Sequence, residues 1–512
     1  MDLLLGIDLG TSFIKAGVFT SCGEVIALHQ TPTPLHRLGH TQGFYWAEDL
    51  WTSVAEMIRG LIREIAQPEH LRVIGISSFG ESGMLLGEDG NLRYPKVMVW
   101  YDERPKPILE RLSQNTPALD PLRLRRRTGL LPDHTYSLGK LLWLQAEHPE
   151  LFWGRPRWTS VADWIAFRLT EEVQMGLTQA SRTLLFDLQE RRWMPELLLE
   201  VGLSPDLLPP LRPPGAPIGR VTQQAAQQTG LMPGLWVMEA AHDQACAAAG
   251  LGATEDGDII NACGTAETLL QIVGAHRLGE VLRSSKAIIG HHAFVGSYYL
   301  MATLRASGSV FDWFVRTLAV EDESPAPQGG NHAGEQALPA NYLRVIQAAS
   351  RVPLGAEGLR FIPHLRQLTD NPSDTALPGG VFWGLRESHG LGHLARAVLE
   401  GLSFESHRLL QRMPQGKLSP VRAVGGPTAN APWMQIKAEM LERPLEVYEC
   451  PHAAAWGAAF LAWRHLRGQA TAGLKPQARY TPAQPEDAAR LRRSYTRTLE
   501  MLAQALPSEE EA

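Results

Sequence analysis

Leu3 to Asp8 is an almost unbroken apolar run, the pattern of a strand buried on both faces. Gly10-Thr11-Ser12 then reads as a turn, Phe13 to Phe19 as a second strand, Ser21-Cys22-Gly23-Glu24 as another turn, and Val25 to Leu28 as a third strand. The chain therefore opens on a predicted antiparallel meander. From Asp49 to Ile65 the period changes: Leu50, Val54, Met57, Ile58, Leu61, Ile62 and Ile65 recur at helical spacing. Val73 to Ser77 is strand-like again, so strands and helices alternate and the predicted class is α/β. Ser204 to Pro217, with its two Pro-Pro pairs, reads as a surface connection. Glu321 to Ala340 reads as a loop, and Pro507 to Ala512 as a solvated acidic tail.

One pattern occurs twice. The opening LLLGIDLGTSFIKAGVF and the later DIINACGTAETLLQIV both consist of a strand, a Gly-Thr-small turn and a strand, half a chain apart. The repeat implies a duplicated domain with the two turns facing each other across a cleft, and 512 residues suit two large domains. The expected division is 1–245, 246–470, and a C-terminal helix and acidic tail over 471–512, with a mixed five-stranded sheet in each lobe.

Composition narrows the function. A net charge of −6, from 48 basic and 54 acidic residues, gives no electrostatic footprint for nucleic acid or an anionic membrane. The basic cluster Arg123, Arg125, Arg126 and Arg127 reads as a solvated face or a phosphate-facing loop. Four cysteines without a CxxC pair are no disulfide framework and fit a reducing cytoplasm. The start Met1-Asp2-Leu3 has no basic n-region, and no apolar run approaches the ~18 residues of a membrane span.

Gly6-Ile7-Asp8-Leu9-Gly10-Thr11-Ser12 carries the first candidate chemistry. Small residues let backbone N–H groups approach an anion, and the hydroxyls add donors. Asp8 at a strand end can hold a divalent cation through water, and Lys15 adds positive charge. A strand follows Gly10, so this is neither a P-loop nor a dinucleotide-binding turn. Gly390-Leu391-Gly392-His393-Leu394-Ala395 matches GxGxxA but lacks the acidic residue about 20 positions on. Glu81, Trp100, Asp102 and Arg104 form a set suited to a polyhydroxylated ligand, with His134, Thr135 and Tyr136 expected nearby. Cys263 reads as a small buried residue, and His291-His292 has no partner at metal spacing.

Taken in order, these segments resemble the FGGY family of carbohydrate kinases, which includes xylulose, gluconate, glycerol, ribulose and fuculose kinases. GIDLGTSFIKAGVF resembles the family's first phosphate motif, and Trp100-Tyr101-Asp102-Glu103-Arg104 its W-x-D-x-R sugar segment. Thr128-Gly129 with Lys140, Leu141 and Trp143, then Ser181-Arg182-Thr183 with Phe186-Asp187, resemble the connectors that follow. Ala241-His242-Asp243-Gln244 resembles the segment of the catalytic aspartate, and Gly264-Thr265-Ala266 the second phosphate turn. Arg396 to Gly401 resembles the helix entering the ATP site; Gly425-Gly426 with Asn430, Trp433 and Gln435 resembles the adenosine motif. The resemblance runs from about residue 3 to about 465.

It implies two actin-like (ribonuclease H-like) lobes with ATP and a sugar in the cleft between them. Gly10, Thr11, Ser12, Lys15, Gly264, Thr265, Gly425, Gly426 and Asn430 would hold ATP. Glu81, Trp100, Asp102, Arg104 and Asp243 would hold the substrate, and Asp8 and Asp243 Mg²⁺ through water. Asp243 would be the base: it follows the apolar run Leu235 to Met238 and precedes the small residues Ala245 to Gly250. The chain departs from the family pattern at Pro427, Ala429, His242 and Arg366-Gln367-Leu368. The implied activity is ATP-dependent phosphorylation of a small sugar or polyol, xylulokinase-like, with glycerol, erythritol, gluconate and L-fuculose as alternatives. An actin-like sugar sensor or chaperone is the reading from another class, and Asp243, kept together with Asp8 and Thr265, argues against it. The expected partners are the sugar or polyol and ATP, with a homodimer allowed and neither nucleic acid nor a membrane.

Overall fold

The computed structural model describes residues 1–39, 41–318, 339–365, 379–414, 419–468 and 473–505. The expected loop over 321–340 lies outside these residues apart from its last two, Pro339 and Ala340, which open the helix Ala340–Ser350. Arg366-Gln367-Leu368 and the acidic tail Pro507 to Ala512 also lie outside them. The chain forms two compact units. One comprises Met1–Asp256, Ile272–Leu300 and His452–Lys475; the other Gly257–Gln271, Met301–Pro451 and Pro476–Ala512.

In the first unit, strands β1 (Leu3–Leu9), β2 (Phe13–Thr20) and β3 (Val25–Pro32) form the expected meander, β2 pairing antiparallel with both neighbours. Helix α1 (Ala47–Glu64) buries Leu50, Val54, Met57, Ile58 and Leu61, and Glu48 and Asp49 in its first turn complement the helix dipole. Strand β4 (Leu71–Ser78) returns parallel to β1. Strands β5 (Pro217–Arg220) and β6 (Trp236–His242) complete the order β5-β6-β4-β1-β2-β3, with β6 parallel to β4. The sheet has six strands where five were expected. The extra one is β5, at the end of the proline-rich connection; an edge strand can begin at Pro217 because that position need not donate to a ladder. Helix α2 (Asp243–Gly250) follows β6 directly.

The helix Ala453–Arg467, far along the chain, belongs to this unit. It approaches β1 and β4 at backbone contact. A Cβ on Gly6 would lie 1.9 Å from the Ala455 carbonyl oxygen, one on Gly75 2.0 Å from that of Ala458, and one on Gly457 1.8 Å from that of Cys246 in α2. Side chains have no room at these crossings.

In the second unit, β7 (Ile259–Cys263) pairs antiparallel with β8 (Glu267–Gly274) and parallel with β9 (Val421–Val424). Strand β10 (Leu445–Val447) is parallel to β9, and β11 (Ala478–Tyr480) is antiparallel to β10. Helices α3 (Gly308–Leu318), α4 (Leu391–Gln411) and α5 (Ala431–Leu441) contribute Phe311, Phe314, Val398, Leu402, Trp433 and Ile436 to its core. The GxGxxA stretch starts α4, where Gly392 serves packing: a Cβ there would meet the Ala348 carbonyl oxygen at 2.6 Å.

Gly75→Val or Gly457→Val should destabilise the protein by about 3 kcal/mol or more, because backbone, not a flexible side chain, blocks the added atoms. Urea-unfolding midpoints measure this; a midpoint within error of wild type would refute the close-packing account.

Candidate active site

Three parallel strands, β1, β4 and β6, end side by side, and the carboxyl edge of such a sheet is where clefts form in open α/β sheets. Asp8 pairs across the ladder with Ser77, and His242 with Ser78. The Ser77 hydroxyl donates to Asp8 Oδ1 at 2.7 Å. On its other side Asp8 faces Lys15 in register. Burial nevertheless pushes the Asp8 pKa up, against the lowering pull of Ser77 and Lys15.

Asp243 is the first residue of α2, with His242 in the capping position. Its Oδ1 accepts from the Gln244 backbone N–H at 2.6 Å and lies 3.2 Å from His242 Nε2, while Oδ2 has no protein partner among the described residues. Burial holds the Asp243 carboxyl well above the usual range, and the Asp8 and Glu81 charges add to this; Arg182 and the Gln244 amide oppose it. His242 is held well below its ordinary value by burial and by Arg182, so it is neutral. Its ring stacks on Tyr299, and Gly80 leaves it space, since a Cβ there would meet His242 Cδ2 at 2.9 Å.

Glu81 lies three residues past β4, with φ of 66°, a left-handed conformation rare for a side-chain-bearing residue. Arg182 Nε donates to Glu81 Oε1 at 2.7 Å and Nη2 donates to the same oxygen. Both residues are buried, and Tyr136 lies under the guanidinium. The Ser137 hydroxyl fixes the Glu81 carbonyl at 2.9 Å. Strained non-glycine backbone of this kind concentrates at functional sites.

The turn Gly10–Ser12 is fastened from several sides. The Gly10 amide donates to the Phe13 carbonyl at 3.0 Å, the Thr33 hydroxyl to the Gly10 carbonyl at 2.7 Å, and the Trp100 indole N–H to the Thr11 hydroxyl at 3.2 Å. Trp100 thus fastens the turn Gly10–Ser12. Asp102 is fully buried. Its Oδ1 accepts from the Arg104 amide at 3.1 Å and Nε at 2.9 Å, its Oδ2 from the Gly43 amide at 3.2 Å and Arg104 Nη2 at 2.7 Å. With both oxygens doubly engaged, Asp102 holds Arg104, whose guanidinium also lies 4.7 Å from the centre of the Trp143 ring. Lys140, seen in sequence only as part of a connector, is fully buried and donates to the carbonyls of Trp100, His134 and Thr135. Desolvation brings its pKa down to about 8.

In the second unit, Gly264–Ala266 closes the hairpin β7–β8, the Gly264 amide donating to the Ala266 carbonyl at 2.9 Å. Gly425 follows β9 with φ of 110°, and a Cβ there would lie 1.8 Å from the Cys263 carbonyl oxygen. Gly426 has no atom within 4 Å of an added Cβ, so it borders open space. Asn430 caps α5, accepting from the Trp433 amide at 3.1 Å, and its buried Nδ2 has no partner among the described residues. Cys263 is buried, and burial raises its thiol pKa to about 11. His291 and His292 are buried and neutral, with pKa values lowered to about 4 and about 3 by desolvation. No group of three or more His, Cys, Asp or Glu side chains suited to a metal occurs among the described residues. None of the described helices is long and apolar enough to cross a membrane. The sequence does not single out Arg182, Tyr299, Ser77, Glu267 and Lys437 as site residues; of these, Arg182 stands in the Ser181-Arg182-Thr183 motif and Glu267 in the repeated hairpin.

Residues 3–250 match the N-terminal domain of the FGGY family of carbohydrate kinases, and residues 260–466 match its C-terminal domain. The chain is 26% identical to the xylulose kinase of Bacillus subtilis (strain 168), over 90% of this chain and 88% of the relative. It is 27% identical to the L-fuculokinase of Escherichia coli (strain K12), over 90% and 92%. The crystal structure of xylulose kinase from Rhodospirillum rubrum superposes with a TM-score of 0.83 at 25% identity, covering 98% of this chain and 99% of the other. With both family domains present in order across nearly its whole length, the chain belongs to the FGGY family of carbohydrate kinases, enzymes that phosphorylate a small sugar or polyol at the expense of ATP.

Proposed function

We propose that Asp243 is the general base of this kinase and accepts the proton of the attacking sugar or polyol hydroxyl. A hydroxyl keeps its proton near neutral pH, and a carboxylate within hydrogen-bond reach removes it as the bond to phosphorus forms. The observation that carries the reading is the asymmetry of Asp243: Oδ1 is pinned by the Gln244 amide and His242, and Oδ2 is free to receive the proton. Around it, Glu81 and Arg182 present a carboxylate and a guanidinium, a pair suited to the hydroxyls of a small linear sugar, ketose or polyol. Asp102 acts through Arg104, and Trp100 through Thr11.

On the nucleotide side, Gly10, Thr11, Ser12 and Lys15 of the first unit and Gly264 and Thr265 of the second take the phosphates, while Gly425, Gly426 and Asn430 take the adenosine. Phosphoryl transfer demands mainly alignment and neutralisation of the phosphate oxygens. Asp8 and Asp243 fit Mg²⁺ held through water: the Asp8 charge raises the cost of charging Asp243, which a cation relieves, and two carboxylates leave most of an octahedral shell to water and phosphate. Neutralisation of phosphate charge is what the ion supplies when bound. A reducing cytoplasm suits four cysteines with no CxxC pair among them.

Three outcomes test this reading. Asp243→Asn should lower kcat by about 10²–10⁴-fold with substrate affinities retained. The folded carboxyl is raised above its unfolded value, so its charge costs stability that grows as pH climbs through the interval between the two. At pH 7, without nucleotide or metal, the variant's Tm should therefore equal or exceed that of wild type. Near-wild-type turnover on the best substrate of an ATP-coupled screen of pentuloses, hexuloses, sugar acids and polyols would send the proton elsewhere. Gly426→Phe should raise the KM for ATP and leave sugar binding intact; an unchanged ATP KM would remove the adenosine assignment. Glu81→Gln should weaken substrate binding by about 2 kcal/mol, the scale of one charged hydrogen bond; titration calorimetry showing no loss would clear Glu81 of the substrate.

A further inference from the structure

Behind the turn Gly264–Ala266 lies a buried polar cluster. Lys437 Nζ is 2.6 Å from Glu267 Oε1, and both side chains are fully buried. The same Glu267 oxygen accepts from Asn261 Nδ2 at 2.9 Å and from the Ser406 hydroxyl at 2.7 Å; Oε2 accepts from the Ser307 hydroxyl at 2.8 Å. Lys437 also donates to Asn261 Oδ1 at 3.1 Å and lies 5.2 Å from the centre of the Trp433 ring. Filling the core does not by itself call for such a pair, since a buried ion pair must first recover its desolvation cost. The duplicated hairpin does not require the acid either: the position after Gly10-Thr11-Ser12 is Phe13, which is exposed.

The cluster leads to the turn at one end and to the adenosine loop at the other. Ser307, held by Glu267, donates its amide to the Thr265 carbonyl at 3.1 Å; Gly308 donates to the Gly264 carbonyl at 3.1 Å and Ser309 to that of Thr265 at 3.2 Å. A Cβ on Gly308 would lie 2.3 Å from the Gly264 oxygen, so the two backbones interlock. Lys437 stands two turns along α5 from its cap Asn430, on the same face.

We propose that Lys437, Glu267 and Ser307 are positioning residues that fix the second phosphate turn at a set distance from the adenosine loop, so that recognition of the terminal phosphates depends on them and recognition of adenosine does not. The inference rests on the assignment of Gly264–Ala266 to phosphate and Gly425–Asn430 to adenosine.

The test compares Ser307→Ala and the double variant Glu267→Leu/Lys437→Met with wild type, using ATP kinetics, AMP competition and Tm. Both variants should raise the KM for ATP or lower kcat by about tenfold, as a small misplacement of an aligned group does, with the AMP inhibition constant within about twofold. The double variant removes both charges together but leaves Asn261, Ser307 and Ser406 without their buried partners, so its Tm should fall, whereas Ser307→Ala keeps the ion pair and should keep a Tm close to wild type. Unchanged ATP kinetics in both variants, or equal losses of ATP and AMP affinity, would overturn the proposal. Thr265→Val and Gly426→Phe serve as controls: if neither alters ATP kinetics, the phosphate and adenosine assignments fail and this inference falls with them.

Discussion

The parallel alignment of β1, β4 and β6 decides where chemistry is available in the first unit. In a parallel array all carbonyl ends point one way, so the residues just past each strand converge on one edge. Asp8, Glu81 and Asp243 reach that edge from three separate stretches of chain, and Ser77 and His242 reach it as their immediate neighbours. The arrangement concentrates acidic groups in a poorly solvated place, and every one of them must be compensated. Ser77 and Lys15 serve Asp8, Arg182 serves Glu81, and the Gln244 amide and His242 serve one oxygen of Asp243.

The second unit handles buried charge differently. Glu267 is surrounded by donors and held below the ordinary carboxylate value by Lys437, with Ser406 and Ser307 adding to the effect against the opposing cost of burial. Its carboxylate is committed to these neighbours. Asp243 is the reverse: partly open, held at high pKa, with one oxygen unclaimed. A carboxylate that must change protonation needs the second kind of environment, and one that must hold a shape needs the first.

The opening meander, α1 and the strand at Val73 were readable because local periodicity dictates them: the almost unbroken apolar run at Leu3 to Asp8 cannot be an exposed helix, and Leu50, Val54, Met57, Leu61 cannot all be buried in a strand. The Gly-Thr turns were readable because the pattern occurs twice. Arg182 as the partner of Glu81 was not, since 101 residues separate them and nothing local in either records the pairing. The saturation of Asp102 escaped for the same reason: its loss of free lone pairs depends on Gly43, 59 residues earlier in the chain. The sixth strand β5 was hidden because prolines in a connection read as loop, and only the sheet edge makes Pro217 acceptable.

The glycine-lined seat under the helix Ala453–Arg467 bears on how the protein comes to exist. Strands β1 and β4 are among the first segments made, and the element that covers them is among the last. Through most of synthesis the nascent first unit carries an open apolar trough along Gly6 and Gly75, shaped for a helix that has not yet emerged from the ribosome. Completion of this unit is thus a late, long-range closure with a large loop entropy to overcome, and a chain cut short before residue 453 keeps a sticky groove where a finished protein has a core.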